Sequence, residues 1–360
     1  MHAEMGQDLC RNTGRDGAGC AGRRSDVITR RTLLLSAVAL VLAACGGGTA
    51  RTTPTPASHV SPTPAPTATP VPTPTPTPLP PYAVQALRAR GYPGGPLTVG
   101  PVLSSGSGFT KHGLTWVSGG QTMTGTIDIP DGAGPFPVVI VEHGYIPATT
   151  YWVGQDSAIF GDPMAAQGYV VAMPNWPGYS GSGPGPADVP SMVGELITML
   201  DLVTSLGASV PQADVHRLAC VGHSNGSGIC MLAMVVDPRF RAVVLHGPVS
   251  SDMADNARKW WDNSPAQVAG IGTPDQNPTG YQLLSPRNFF AAGQPPVLII
   301  HGTADTTCPL EWAQATLQAL QTAGVQTQMV QFPGAQHDFV GQDLQQAVGD
   351  QTNWIAKALG

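Results

Sequence analysis

Charged residues are scarce in this 360-residue chain: Asp, Glu, Lys and Arg together make up 11%, and lysine occurs three times, at Lys111, Lys259 and Lys357. No basic stripe exists to follow a phosphate backbone, so nucleic-acid binding is excluded. Cysteine is sparse as well. The six, at positions 10, 20, 45, 220, 230 and 308, include no CxxC pair and fall short of the density of a disulfide scaffold. A structural zinc site is not expected, and none of the histidines has metal-ligand spacing, so no metal or other cofactor is anticipated. Proline is plentiful but uneven: 12 of the 36 fall between residues 51 and 81, a stretch that cannot join a packed core.

The amino-terminal segment reads as an address. Arg30-Arg31 precede a 12-residue apolar run, Leu33 to Ala44, and small residues lead to Cys45. Such a run is short for a bilayer span. Leu42-Ala43-Ala44-Cys45 resembles the lipobox of bacterial lipoproteins, in which Cys45 becomes lipidated after cleavage. Arg30-Arg31 with Leu33 resembles a twin-arginine export signal. An ordinary signal peptide or an uncleaved anchor is the alternative, and every version implies export. Removal of residues 1–44 takes away six arginines and four acids, leaving 11 basic and 19 acidic residues. Attachment to a membrane would then rest on the lipid at Cys45 alone, not on charge.

Residues 45–81 form a Pro/Thr-rich tether in this reading. Alternation such as Pro72-Thr-Pro-Thr-Pro-Thr-Pro78 favours extended polyproline II and offers nothing to bury. At about 3.1 Å per residue it reaches roughly 100 Å.

The remaining residues, 82–360, have the length of one large α/β domain. Eight strands are predicted: 114–117, 123–129, 138–142, 169–173, 217–221, 242–246, 297–301 and 328–332. Most are continuous apolar runs, the mark of strands buried on both faces of a parallel sheet, whereas the first two alternate and suit an antiparallel edge hairpin. Helical periodicity covers 192–206, 227–236, 310–322 and 343–359. The expected fold is an α/β, mostly parallel, doubly wound eight-stranded sheet with helices on both faces. A gap at about 250–294 reads as an insertion over the carboxyl edge of the sheet.

Gly222-His-Ser224-Asn-Gly226 sits between a predicted strand and a predicted helix. A turn tight enough to expose Ser224 needs glycine two residues either side, and the helix that follows aims its positive end at the site. A serine hydroxyl is a weak nucleophile near neutral pH, so a base is required, with an acid to orient it. Asp305 ends the strand Val297 to His301 region, 81 residues after the serine, and His337 follows the next strand 32 residues later. Ser224 would attack, His337 would carry the proton, and Asp305 would hold the imidazole tautomer.

Four segments carry a more specific likeness: Glu142-His-Gly-Tyr145, Asn175-Trp-Pro-Gly-Tyr-Ser-Gly-Ser182, Gly222 to Gly226, and Ser285-Pro286 leading to Ile300-His-Gly-Thr-Ala-Asp305. The chain resembles the α/β-hydrolase superfamily, in its prolyl-oligopeptidase-like and dienelactone-hydrolase-like branch, without the β-propeller of full oligopeptidases. The resemblance implies an oxyanion hole from the Asn225 backbone N–H and from Tyr145, the latter through its N–H or its phenol. It also implies a small ester or a short peptide as substrate.

Trp176, Tyr179, Tyr145, Tyr151, Trp152, Trp260 and Trp261 are candidate walls of an acyl or aromatic pocket, or else core and lid packing. Cys220 and Cys230 are expected as small core residues; with Cys45 lipidated, the thiols that remain allow one disulfide at most. His143, His223, His246 and His301 are expected as structural hydrogen-bonding positions. Asp338, beside His337, is a weaker choice than Asp305 for the acid. With no dicarboxylate or arginine cluster in the loops to read a charged group, the leading expectation is an exported serine hydrolase acting on carboxylic esters. A serine peptidase is the runner-up, a lipase or polyester hydrolase a variant, and a non-catalytic surface binding protein the reading from another class.

Overall fold

The computed structural model describes residues 78–261, 264 and 268–360. The export signal, Cys45 and most of the tether lie outside the described residues. The first described helix, α1 (Val84–Ala89), buries Val84 and Leu87.

Among the described residues nine strands make a single sheet in the order β1-β2-β3-β5-β4-β6-β7-β8-β9. They are β1 (Leu97–Gly106), β2 (Phe109–Ser118), β3 (Gln121–Pro130), β4 (Phe136–Glu142), β5 (Val170–Pro174), β6 (Ala213–His223), β7 (Phe240–His246), β8 (Val297–Gly302) and β9 (Thr327–Phe332). Strands β5, β4, β6, β7, β8 and β9 run parallel, whereas β1 to β3 are antiparallel to their neighbours. The eight-strand expectation is corrected to nine. The strand it lacked, β1, carries Gly100 and Pro101, is mostly exposed, and has two register shifts against β2. Proline, glycine and bulges are how an edge strand avoids further pairing, and they erase the alternation a sequence reading depends on.

The apolar runs divide strictly by period two. Val138, Ile140, Leu218, Cys220, Val243, Leu245, Val297 and Ile299 face one core, and Val139, Val141, Ala219, Val221, Ala242, Val244, Leu298 and Ile300 face the other. One strand thus supplies both sides of the sheet, which is why no polar residue interrupts these central runs. Over the first face lie α3 (Ser191–Ser209), α4 (Asn225–Val236) and α7 (Leu310–Thr322), and over the second α2 (Ala158–Ala165) and α8 (Gly341–Leu359). Although α3 is apolar and long enough to cross a membrane, 78% of that window is buried inside the domain.

The segment after β7 contains α5 (Met253–Asn256), a π turn at Ala257–Trp261, α6 (Pro278–Leu284) and a 3-10 turn at Pro286–Phe289. Cys220 on β6 and Cys230 on α4 form a disulfide with Cα atoms 5.8 Å apart. Both are fully buried, as expected of small core residues, and the packing of α4 on β6 brings them within reach of the one disulfide the sequence allows.

Candidate active site

Strand β6 ends at His223 and α4 begins at Asn225, so Ser224 alone makes the turn, at φ 52° and ψ −118°. A left-handed serine is costly unless its surroundings enforce it. Here they do: the Ser224 N–H donates to His246 O at 2.9 Å, and the Ser227 hydroxyl donates to Gly222 O at 2.7 Å. A Cβ at Gly222 would meet backbone atoms of Gly226 at 2.4 Å, and one at Gly226 would meet Glu142 O at 2.3 Å. Both glycines are thus steric requirements of the elbow.

Asp305 follows β8 with its side chain fully buried. Its Oδ1 accepts the N–H groups of Thr307 (2.8 Å) and Cys308 (2.9 Å), which leaves Oδ2 for His337 Nδ1 at 2.7 Å. Burial raises the Asp305 pKa, but the His337 hydrogen bond and charge and the Cys308 N–H outweigh it, and the net shift is downward. The loops bearing the two residues are laced together: Thr303 N–H donates to Phe332 O and Ala304 N–H to Ala335 O, both at 3.0 Å. Asp338, by contrast, points outward with its side chain 82% exposed, so Asp305 is the carboxylate on His337. Ser224 and His337 line the same cavity of about 750 Å³. No hydrogen bond joins them in this structure; the Ser224 Oγ contact is Cys308 Sγ at 4.0 Å. Serine–histidine bonds of this kind commonly tighten when substrate binds. The Cys308 thiol is buried and pushed up to about 12, by burial first and by Asp305 second, so it is not a competing nucleophile.

His143 fixes the loop after β4. Its Nδ1 lies 2.7 Å from Gly144 O. A carbonyl only accepts, so Nδ1 carries the proton; burial lowers the pKa to about 4 and keeps the ring neutral. The ring is clamped by stacking on Trp176 (centroids 4.0 Å) and Tyr151 (4.7 Å). Because the Gly144–Tyr145 peptide is trans, pinning its oxygen inward turns the Tyr145 N–H the opposite way. No backbone acceptor among the described residues takes that N–H, nor the Asn225 N–H at the start of α4. Both residues line the cavity.

The aromatic candidates separate into two layers. Trp260 and Trp152 line the cavity, as does Tyr145, which is 63% exposed. Trp176 and Tyr179 do not, and their assignment as pocket walls is corrected. Trp176 is buried with its indole N–H donating to Glu142 Oε2 at 2.9 Å, and the Tyr179 hydroxyl donates to Ile146 O at 2.7 Å. They support the loop from beneath, where the Tyr151 hydroxyl also donates to Asn175 Oδ1. The Trp261 side chain lies outside the described residues. Glu142 is fully buried, and burial pushes its pKa up to about 8 against the opposing hydrogen bond from Trp176, so it is mainly a neutral acid at pH 7.

Among the other histidines, His246 Nε2 meets Gln351 Oε1 at 2.8 Å, and His301 Nε2 meets Cys308 O at 3.0 Å. His223 differs: its Nδ1 lies 2.8 Å from Asp156 Oδ2, a cavity-lining residue no sequence motif singles out. Burial lowers the His223 pKa, yet the Asp156 charge and hydrogen bond prevail and lift it to about 9. An imidazole already protonated cannot take a proton from Ser224. Among the described residues no cluster of three or more His, Cys, Asp or Glu could hold a metal ion.

A strained serine elbow between a parallel strand and a helix, with a buried acid–histidine pair at the ends of later strands, defines a serine hydrolase of the α/β-hydrolase fold. The profile of the prolyl oligopeptidase family matches residues 162–360, more than half of the chain, and the chain belongs to that family. It is 27% identical over 149 residues to "Uncharacterized peptidase YuxL" of Bacillus subtilis, covering 36% of this chain and 20% of that protein. It is 28% identical over 216 residues to a "Putative carboxymethylenebutenolidase" of Escherichia coli O157:H7, covering 57% of this chain and 68% of the relative. The solved structure of an acylaminoacyl peptidase in complex with Z-Gly-Gly-Phe-chloromethyl ketone superposes with a TM-score of 0.56 at 19% identity, over 70% of this chain and 42% of that one. The chain therefore spans a fifth of the first relative and about two thirds of the second.

Proposed function

We propose that the protein hydrolyses neutral carboxylic esters through an acyl-enzyme on Ser224, with His337 as general base and acid and Asp305 orienting it. The observation that carries the reading is the cavity itself. Its walls at Ile146, Trp152, Ile159, Val249 and Trp260 are apolar, and Asp156, its buried carboxylate, is already committed to His223. An aminopeptidase-like site needs an unpaired carboxylate within the pocket to hold a substrate ammonium. The other acid of the cavity, Asp338, sits out at the rim with its Oδ1 3.8 Å from His223 Nε2. The likeness to a carboxymethylenebutenolidase, whose name denotes a lactone substrate, points the same way. The discriminating experiment compares kcat/KM on a short-chain p-nitrophenyl ester with that on aminoacyl p-nitroanilides, using Ser224→Ala as the blank. Ester turnover at least 100-fold above anilide turnover is expected; equal rates would make the protein a peptidase.

In the same proposal the carbonyl oxygen is received by the backbone N–H groups of Tyr145 and Asn225. The phenol is not needed, because the peptide plane set by His143 already presents the Tyr145 N–H. Tyr145→Phe should then keep kcat within about threefold of wild type, whereas loss of an oxyanion donor costs about 100- to 1000-fold. A loss of that size in Tyr145→Phe would assign the phenol instead.

A lipase or polyester variant of this activity is favoured by one feature: Tyr145, Trp152, Ile159 and Trp260 are all solvent-exposed apolar groups at the cavity mouth. Export with lipid anchoring at Cys45 completes the proposal. The Cys220–Cys230 bridge supports it, since such bonds persist in oxidising compartments and are rare in the cytosol. Cys45→Ser should move the protein from the membrane fraction to the soluble fraction of fractionated cells; an unaltered distribution would exclude the anchor.

A further inference from the structure

Asp156 and His223 form a second acid–histidine pair beside Ser224, and its contacts run to three separate segments. Asp156 is held at φ 66°, a conformation an aspartate adopts at a cost, and its side chain is largely buried. A single oxygen, Oδ2, accepts the Gly144 N–H at 2.6 Å and the His223 Nδ1–H at 2.8 Å. Gly144 directly precedes Tyr145 on the oxyanion loop. The other ring nitrogen, Nε2, faces His337 O at 3.4 Å and Asp338 Oδ1 at 3.8 Å. The rings of His223 and His337 lie 4.8 Å apart. His223 itself belongs to the nucleophile elbow.

We propose that the Asp156–His223 pair is a positioning device for the reaction at Ser224, a cationic imidazole that ties the Tyr145 loop and the His337 loop to the strand end carrying the nucleophile. The inference rests on the hydrolase reading given above. Only the imidazolium donates from both nitrogens; a neutral ring that keeps Nδ1–H for Asp156 turns a lone pair toward two oxygens, His337 O and Asp338 Oδ1. Loss of the proton thus releases the His337 loop while the Tyr145 loop stays tethered.

The charges around His223 are consistent with this. Asp156 is lowered to about 2, because the His223 charge and hydrogen bond and the Gly144 N–H overcome the burial that raises it. His143 and His246, both lowered by burial, face the ring as neutral groups, Asp338 lies beyond Nε2, and Phe160 packs on the ring at 5.8 Å. With its pKa raised from 6.5 to about 9, His223 keeps its proton through neutral pH and loses it as pH rises through about 9. Asp156→Asn removes the dominant stabilising charge, so the same loss must occur at lower pH.

The experiment measures kcat and KM of the full chain on a p-nitrophenyl ester from pH 6 to 10, for wild type, Asp156→Asn and His223→Gln. Wild type should lose kcat on an alkaline limb near pH 9. Asp156→Asn should move that limb down by at least one pH unit and lower kcat at pH 7 about 10- to 100-fold, the equivalent of one lost charge-assisted hydrogen bond, with KM altered less than about threefold. In His223→Gln the limb should vanish. Should either variant fail to fold, the wild-type profile decides, since a flat kcat between pH 8 and 10 overturns the proposal. An active wild type whose limb and kcat survive both substitutions overturns the brace alone; a wild type inactive on ester and anilide alike overturns the brace and the hydrolase reading together.

Discussion

Ser224→Ala is expected to lower kcat on a p-nitrophenyl ester by about 10⁵- to 10⁶-fold, which is what removal of an activated nucleophile costs. The substitution deletes one oxygen from a residue whose backbone is already constrained. The hydrogen bond from its N–H to His246 O and the contacts of Gly222 and Gly226 do not involve Oγ. The variant should therefore fold as wild type does, and its loss reads chemistry alone. Covalent labelling by a fluorophosphonate, seen by intact-mass spectrometry, checks the same point independently: wild type should gain one adduct and Ser224→Ala none. Retention of more than about a hundredth of the activity would remove Ser224 from the mechanism, since no triad loses its nucleophile so cheaply. A protein that keeps the fold only to bind would take up no label.

Asp305→Asn is the second large effect, about 10⁴-fold in kcat. Here geometry decides. Oδ1 of Asp305 is fixed by the N–H groups of Thr307 and Cys308, so an asparagine placed there must keep its carbonyl oxygen on those donors. The amide NH₂ then faces His337 Nδ1, where Oδ2 stood at 2.7 Å. An NH₂ only donates, so His337 must carry its proton on Nε2 and has no lone pair for the serine. Asp338→Asn, which alters a carboxylate 82% exposed and not bonded to His337, should cost at least 100-fold less than Asp305→Asn. Rapid-quench measurement of the acylation step separates the two; equal losses would shift the acid's role to Asp338.

The elbow was legible in the sequence because its causes are local: two glycines, one serine, an apolar strand before and a helix after. The order of acid and histidine was legible for a related reason, since each follows an apolar run that a two-faced parallel strand demands. What escaped was decided by tertiary contact. The first strand carries Gly100 and Pro101 and pairs only through an irregular register, so neither composition nor alternation betrays it. Asp156 lies in a loop with nothing in its neighbours to mark it, and its meaning comes from His223, 67 residues away. Trp176 and Trp152 have the same chemistry on paper; the fold buries one beneath the loop and leaves the other at the cavity. Likewise the bond between Cys220 and Cys230 follows from how α4 lies on β6, which spacing alone does not specify.

That bond closes a small covalent ring, with a sequence separation of 10, and Ser224 lies inside it. The nucleophile thus sits on a loop whose two ends are fastened to each other as well as to the sheet. Rings of this size restrict the unfolded chain by about 3 kcal/mol, so a reductant would act as a mechanical agent here, loosening the turn that exposes the serine without touching any reacting atom. Thiol-directed reagents have little else to find in the described domain, because Cys308 is buried and holds its proton. Inactivation by a reductant, measured against thermal unfolding, would therefore gauge how much of the elbow's tension is held by the chain's own covalent clasp.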